Sequence, residues 1–150
     1  MSQSLSRILV HLIYSTKNRE PFLTPEVLPK LIAYQAGIFK DTDCPAIEIG
    51  GMADHVHALF VLSRKRELCD VIEDVKKGSS KWIKTQGPEF RQFYWQGGYG
   101  AFSVSPTHEE SVQKYILNQE EHHRVVSFQD EFRDFLKRYK VDFDERYVWD

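Results

Sequence analysis

Hydrophobic positions along the chain follow two periods, and the changes between them mark the elements. Residues 6–16 (SRILVHLIYST) form a dense run of Ile, Leu, Val and Tyr that predicts a buried strand. Thr24-Pro25-Glu26 is a helix-start signal, and a helical pattern follows to about Lys40. Pro29 lies inside that pattern and moves the expected start toward itself, because proline is tolerated only in a first turn. Residues 44–49 predict a second strand, with Gly50-Gly51 as a turn or bulge. Residues 55–62 (HVHALFVL) predict a third, antiparallel to the second if the two form a hairpin.

From Glu67 to about Thr85, Leu68, Val71, Ile72, Val75 and Trp82 recur near helical spacing, and Gly87-Pro88 ends the run. Residues 93–105 (FYWQGGYGAFSVS) are aromatic and β-prone but interrupted by Gly97, Gly98 and Gly100. Thr107-His108-Glu109-Glu110 matches a capping box and predicts a helix to about Val125. Ser127 and Asp130 open a last helix with Phe128, Phe132, Phe135, Leu136 and Tyr139 on one face. The order is β-α-β-β-α-β followed by two helices. That predicts an α+β, ferredoxin-like antiparallel sheet with a C-terminal helical extension. Residues 1–150 are expected to form one domain: a core over about 6–105, two further helices over about 107–141, and a tail over 142–150.

Composition narrows the picture without redirecting it. The chain has 150 residues, 41% hydrophobic and 28% charged, as in ordinary globular domains. No run of about 18 apolar residues is present, so no membrane span is expected. The first residues lack signal-peptide architecture, and Cys44 and Cys69 stand apart without a CxxC pattern. Both features point to a cytoplasmic protein with reduced thiols. The net charge is −2, so no global basic field advertises nucleic acid. Locally, residues 64–84 carry seven basic residues against four acidic ones. A basic surface there can bind phosphates, and a solvated helix face gives the same pattern.

Candidate chemistry sits in two places. Alternation on a strand projects His55 and His57 from one face, with Val56 on the other. Two imidazoles side by side can hold one divalent ion, although polar residues at the mouth of a strand look the same. Tyr115 and Gln119 are four apart and share one face of a helix. Gln119 can complete a metal site through its carbonyl, and Tyr115 can attack a group that the metal polarises. Tyr115 as a core aromatic and Gln119 as a surface amide are the alternatives. His122 and His123, beside Glu120, Glu121 and Arg124, read as structural or DNA-contacting residues more than ligands. His11 and His108 read as structural or incidental.

Three segments together resemble a known family: Asp54-His55-Val56-His57 after Gly50-Gly51, residues 95–105 (WQGGYGAFSVS), and residues 115–124 (YILNQEEHHR). They resemble the single-tyrosine HUH transposases of the insertion-sequence two-hundred-like group, over nearly the whole chain. The resemblance implies an HUH endonuclease-like fold whose C-terminal helices carry the tyrosine. It implies His55 and His57 as metal ligands, Gln119 as the third, and Tyr115 as the nucleophile. It further implies cleavage and rejoining of single-stranded DNA through a 5′-phosphotyrosine, recognition of hairpin ends, a homodimer, a prokaryotic cytoplasmic setting, and Mg²⁺ or Mn²⁺ as cofactor.

On this reading Lys77, Lys81 and Lys84 on the second helix, and Lys17, Asn18 and Arg19 after the first strand, are candidates for DNA contact. Tyr94, Trp95, Tyr99 and Phe102 are base-stacking candidates, or else core or dimer contacts. Two alternatives stay open: a domesticated hairpin-binding protein, and a metal-dependent phosphodiesterase without a covalent intermediate.

Overall fold

The computed structural model describes residues 2–150. Its elements are β1 (Ile8–Ser15), α1 (Leu28–Asp41), β2 (Ala46–Met52), β3 (His55–Leu62), α2 (Leu68–Ile83), β4 (Gly100–Val104), α3 (Glu109–Leu117), α4 (Gln119–His122) and α5 (Phe128–Arg138). The strands form one sheet in the order β2-β3-β1-β4, with every neighbouring pair antiparallel. This is the α+β, ferredoxin-like arrangement that the order of elements predicts.

Strand alternation divides the sheet into two faces with different partners. Val10, Leu12 and Tyr14 of β1 and Val56, Ala58 and Phe60 of β3 pack against α1 and α2, with Leu31, Phe39, Val71, Val75 and Ile83 completing the main core. On the opposite face, Leu9, Leu59 and Val104 meet Ile116 of α3. Ile13 and Phe102 meet Phe128, Phe132 and Leu136 of α5. His11, His55 and His57 belong to this second face, so the C-terminal helices close over them. Among the described residues no helix is long and apolar enough to cross a membrane.

Two glycines permit that closure. A Cβ at Gly50 would lie 2.7 Å from the carbonyl oxygen of Ile116, so only glycine lets the end of α3 approach β2 this closely. A Cβ at Gly100 would lie 2.4 Å from the ring of Phe132 on α5. Gly50 and Gly51 are therefore strand residues of β2, not the expected turn, which falls instead at Ala53-Asp54. The irregularity in the β2–β3 register lies between Ala46 and Glu48.

The helices after β4 also depart from the pattern. Thr107 caps nothing. Ser105 accepts the backbone N–H of Thr107 and opens a 3-10 turn over Pro106–His108, and α3 starts without a side-chain cap. The helix expected to run to Val125 breaks at Asn118 (φ −97°, ψ 23°), giving α3 and the single turn of α4. The last helix is as expected: Ser127 Oγ accepts the N–H of Asp130 at 3.1 Å and caps α5. Pro29 sits in the first turn of α1, where its missing N–H costs nothing.

Candidate metal and tyrosine site

His55 and His57 open β3, which is held on both sides by β1 and β2. Both side chains are buried, with residue exposures of 1% and 0%. Asp54 lies in the turn just before them, and its Oδ1 is 2.7 Å from His55 Nδ1. An ionised carboxylate only accepts, so His55 carries a proton on Nδ1. The other nitrogen, Nε2, lies 3.1 Å from Gln119 Oε1. His57 Nδ1 lies 2.8 Å from Nε2 of His11 on β1, and His57 Nε2 lies 2.9 Å from Glu131 Oε1.

Glu131, in the first turn of α5, is the hub of the site. Its side chain is 1% exposed. The hydroxyl of Tyr115 donates to its Oε2 in a short hydrogen bond. The same oxygen lies 3.1 Å from His122 Nε2, 3.3 Å from His123 Nε2 and 3.4 Å from Gln119 Nε2. His123 Nδ1 donates to the carbonyl of Val126 at 2.7 Å, and His123 Nε2 lies 2.9 Å from Gln119 Oε1. The break at Asn118 leads into α4, the turn that supplies Gln119 and His122 to this network, with His123 directly after it.

Burial and mutual contact set the charges. Burial alone raises the carboxyl of Glu131. Hydrogen bonds from His123, His57 and Tyr115 outweigh this and hold it far below the usual carboxylate range. Burial lowers His57 to about 4, against the pull of Glu131, and keeps its ring neutral. His11 is pushed well below its usual value, first by burial and then by His57. His123 moves up: burial opposes its charge, but Glu131 and the Val126 carbonyl prevail. Burial, with the bond and the charge of Glu131, pushes the phenol of Tyr115 up, so its proton stays in place.

Ligand atoms of His55, His57, His123 and Glu131 all lie within 4.8 Å of one another. Three imidazoles and a carboxylate, with one amide oxygen beside them, form a donor set that suits a divalent transition metal and accommodates Mn²⁺ more readily than Mg²⁺. A cleft of about 750 Å³ reaches Tyr115, His122, Glu131 and His11 between α3 and α5, with Asp134 and Arg138 among its walls.

All four residues singled out for the chemistry, His55, His57, Tyr115 and Gln119, meet here. The expected DNA-binding lysines do not. Lys77 and Lys81 on α2 and Lys84 directly after it lie across the sheet, and border a separate groove of about 620 Å³ with Trp95 and Tyr99. Lys77 pairs with Glu73 at 2.6 Å, and Lys84 Nζ stands 4.5 Å above the ring of Tyr94. Lys17 and Arg19 form a 3-10 turn after β1, where the Arg19 guanidinium lies 5.9 Å from the ring of Trp149. Trp95 and Phe102 are buried core aromatics, while Tyr94 and Tyr99 are exposed. Sequence reasoning missed Glu131 altogether, read His11 as structural or incidental, and read His122 and His123 as structural or DNA-contacting residues more than ligands. One signal was available: Glu131 lies three residues after Phe128 and four before Phe135, inside the apolar stripe of α5.

Residues 4–119 match the family profile of the IS200-like transposases. The chain belongs to that family. A similar relative is the ISDra2 transposase TnpA of Deinococcus radiodurans, 27% identical over 114 residues that span 73% of this chain and 81% of that one. Among solved structures, the fold is shared with a Deinococcus radiodurans protein assigned as a transposase (TM-score 0.65, 24% identity, 79% of this chain and 98% of that one). It is shared as well with a REP-associated tyrosine transposase bound to a REP hairpin (TM-score 0.60, 14% identity, 84% and 76% of the two chains). The stretch shared with the IS200-like family ends at Gln119. It includes both strand histidines and the tyrosine, whereas His122, His123 and Glu131 follow it.

Proposed function

We propose that this chain cuts and rejoins single-stranded DNA at insertion-sequence ends, with Tyr115 as the nucleophile. The carrying observation is the Tyr115 hydroxyl, held by Glu131 inside the cluster of His55, His57, His123 and Gln119. The phenolic oxygen attacks a phosphorus atom and the 3′-oxygen leaves, giving a 5′-phosphotyrosine and a free 3′-hydroxyl. Rejoining is the reverse attack by a 3′-hydroxyl, and the retained ester makes ATP unnecessary. Glu131 orients the phenol and lies where the phenolic proton departs.

His55 and His57 would hold a divalent metal, Mn²⁺ or Mg²⁺, with Gln119, His123 and Glu131 as the remaining donors. Such an ion neutralises phosphate oxygens and so lowers the barrier to attack on an anionic diester. Asp54 fixes His55 with its proton on Nδ1 and thereby keeps Nε2 directed at the site.

A DNA hairpin as partner is supported by family membership and by the hairpin held in the REP-associated structure of the same fold. Lys77, Lys81 and Lys84 beside exposed Tyr99 form a basic, aromatic-lined groove suited to the flanking strand, and Lys17 and Arg19 are further phosphate contacts. The hydroxyl of Tyr115 meets Glu131 and His122 of its own chain, which supports attack within one subunit even if the family homodimer forms.

The test uses Mn²⁺ and labelled single-stranded hairpins taken from the DNA flanking the gene. A denaturation-resistant protein–DNA adduct is expected, and Tyr115→Phe abolishes it. Hairpin binding by the wild type without an adduct would favour a domesticated binding protein. Cleavage that survives Tyr115→Phe would favour a phosphodiesterase.

A further inference from the structure

His57 faces two partners that make opposite demands on it. Its Nε2 lies 2.9 Å from Glu131 Oε1, and an ionised carboxylate has no proton to give. His57 therefore donates from Nε2, and its Nδ1 must accept. Among the described residues, the hydrogen-bond partner of that nitrogen is His11 Nε2, at 2.8 Å, which then donates. For His57 Nε2 to bind a metal the roles reverse. Nε2 needs its lone pair, the proton moves to Nδ1, and His11 Nε2 becomes the acceptor.

We propose that His11 is the positioning residue of His57: a neutral imidazole that changes from donor to acceptor, so that His57 Nε2 can pass from Glu131 to a metal. The protons balance. Each ring carries one proton before and one after; both move from Nε2 to Nδ1, and no net charge is gained or lost. This inference rests on His57 as a metal ligand.

Three observations support it. His11 is buried on the central strand β1, with Phe135 edge-on at 5.1 Å, so its ring is held in place. It also borders the cleft at Tyr115. Finally, the two strand histidines are supported differently. His55, at the turn, has the half-exposed carboxylate of Asp54 behind it, which can only accept. His57, deeper in the sheet, has an imidazole that can do either. A carboxylate at position 11 would bury a second anion near Glu131 and could not donate to His57 Nδ1.

The experiment reads ring protonation directly. Long-range ¹H–¹⁵N spectra of histidine-labelled protein are recorded metal-free and with Mg²⁺, alongside Mn²⁺ titration by electron paramagnetic resonance. His57 and His11 are expected to carry their protons on Nε2 without metal and on Nδ1 with it. His11→Gln, whose amide can donate or accept, should keep Mn²⁺ affinity within about threefold of wild type, whereas His11→Leu should lose about 10–100-fold. Thermal melts of both variants show that each is folded. Equal Mn²⁺ affinity in wild type and His11→Leu, or an unchanged His11 ring on metal binding, would overturn the proposal alone. So would a His11→Gln loss as large as that of His11→Leu. Wild-type protein that binds no Mn²⁺ would instead overturn the metal site itself.

Discussion

At the scale of single residues, the site is a contest between burial and charge, and Glu131 decides it. A carboxylate inside an apolar helix face is costly unless every lone pair is used. Here His57, His122, His123, Gln119 and Tyr115 all contact it. His57 has the opposite problem: burial lowers it to about 4, while an unfolded histidine titrates near 6.5. Between those values the unfolded chain binds a proton that the folded chain refuses, so stability falls as pH falls through the window. Glu131 adds to the loss below the ordinary glutamate range, because its folded pKa is depressed. His123, raised on folding, works the other way, and its contribution is lost as pH rises through its folded value. Urea unfolding of chelated protein should therefore weaken from pH 6.5 toward 4, by up to about 1.4 kcal/mol per unit from His57. His57→Gln should flatten that part of the profile. An equally steep profile in the variant would show that another group carries it.

At the scale of elements, what was legible followed from local periodicity. β3 was readable to the residue because a continuous apolar run follows its two histidines, and alternation of period two fixes the shared face of His55 and His57. The last helix was readable because Ser127 caps it and its aromatic residues repeat on one face. The break at Asn118 was not, since no Pro or Gly interrupts the helical pattern there. It comes with tertiary contacts: Ile116 over Gly50, and Gln119 against His55. Thr107 misled for a similar reason, because a capping-box sequence is a local signal and the 3-10 turn led by Ser105 displaced it. The two caps give a direct comparison. Ser127→Ala should cost about 1 kcal/mol in urea unfolding, the usual value of an N-cap. Thr107→Ala, which removes no helix cap, should cost clearly less. Equal losses would mean that Thr107 supports α3 in solution.

At the scale of the whole molecule, the groups of the candidate site come from distant parts of the chain: His11 from β1, His55 and His57 from β3, Tyr115 from α3, Glu131 from α5. Sequence spacing could pair His55 with His57 and Tyr115 with Gln119, but it could not bring one pair to the other. The family resemblance did that, and it reaches only to the residues its motifs contain. Glu131, outside those motifs, enters the site because α5 folds back over the sheet, which is a property of three dimensions. The same folding bears on where Tyr115 acts. Its hydroxyl already meets Glu131 and His122, and Glu131 meets His57, all in one chain. A tyrosine serving a partner's site would have to leave these bonds and expose the Glu131 carboxylate. A mixing experiment separates the two arrangements. His57→Ala lacks a proposed metal ligand and Tyr115→Phe lacks the proposed nucleophile, so neither should form a DNA adduct alone. If Tyr115 acts within its own chain, an equimolar mixture, unfolded and refolded together to allow exchange, stays inactive. If it acts across a dimer, hybrid dimers contain one complete site and adduct returns, up to about one quarter of the wild-type level by random pairing. Return of the adduct to that level would mean that α3 moves away from Glu131 before the chemistry begins.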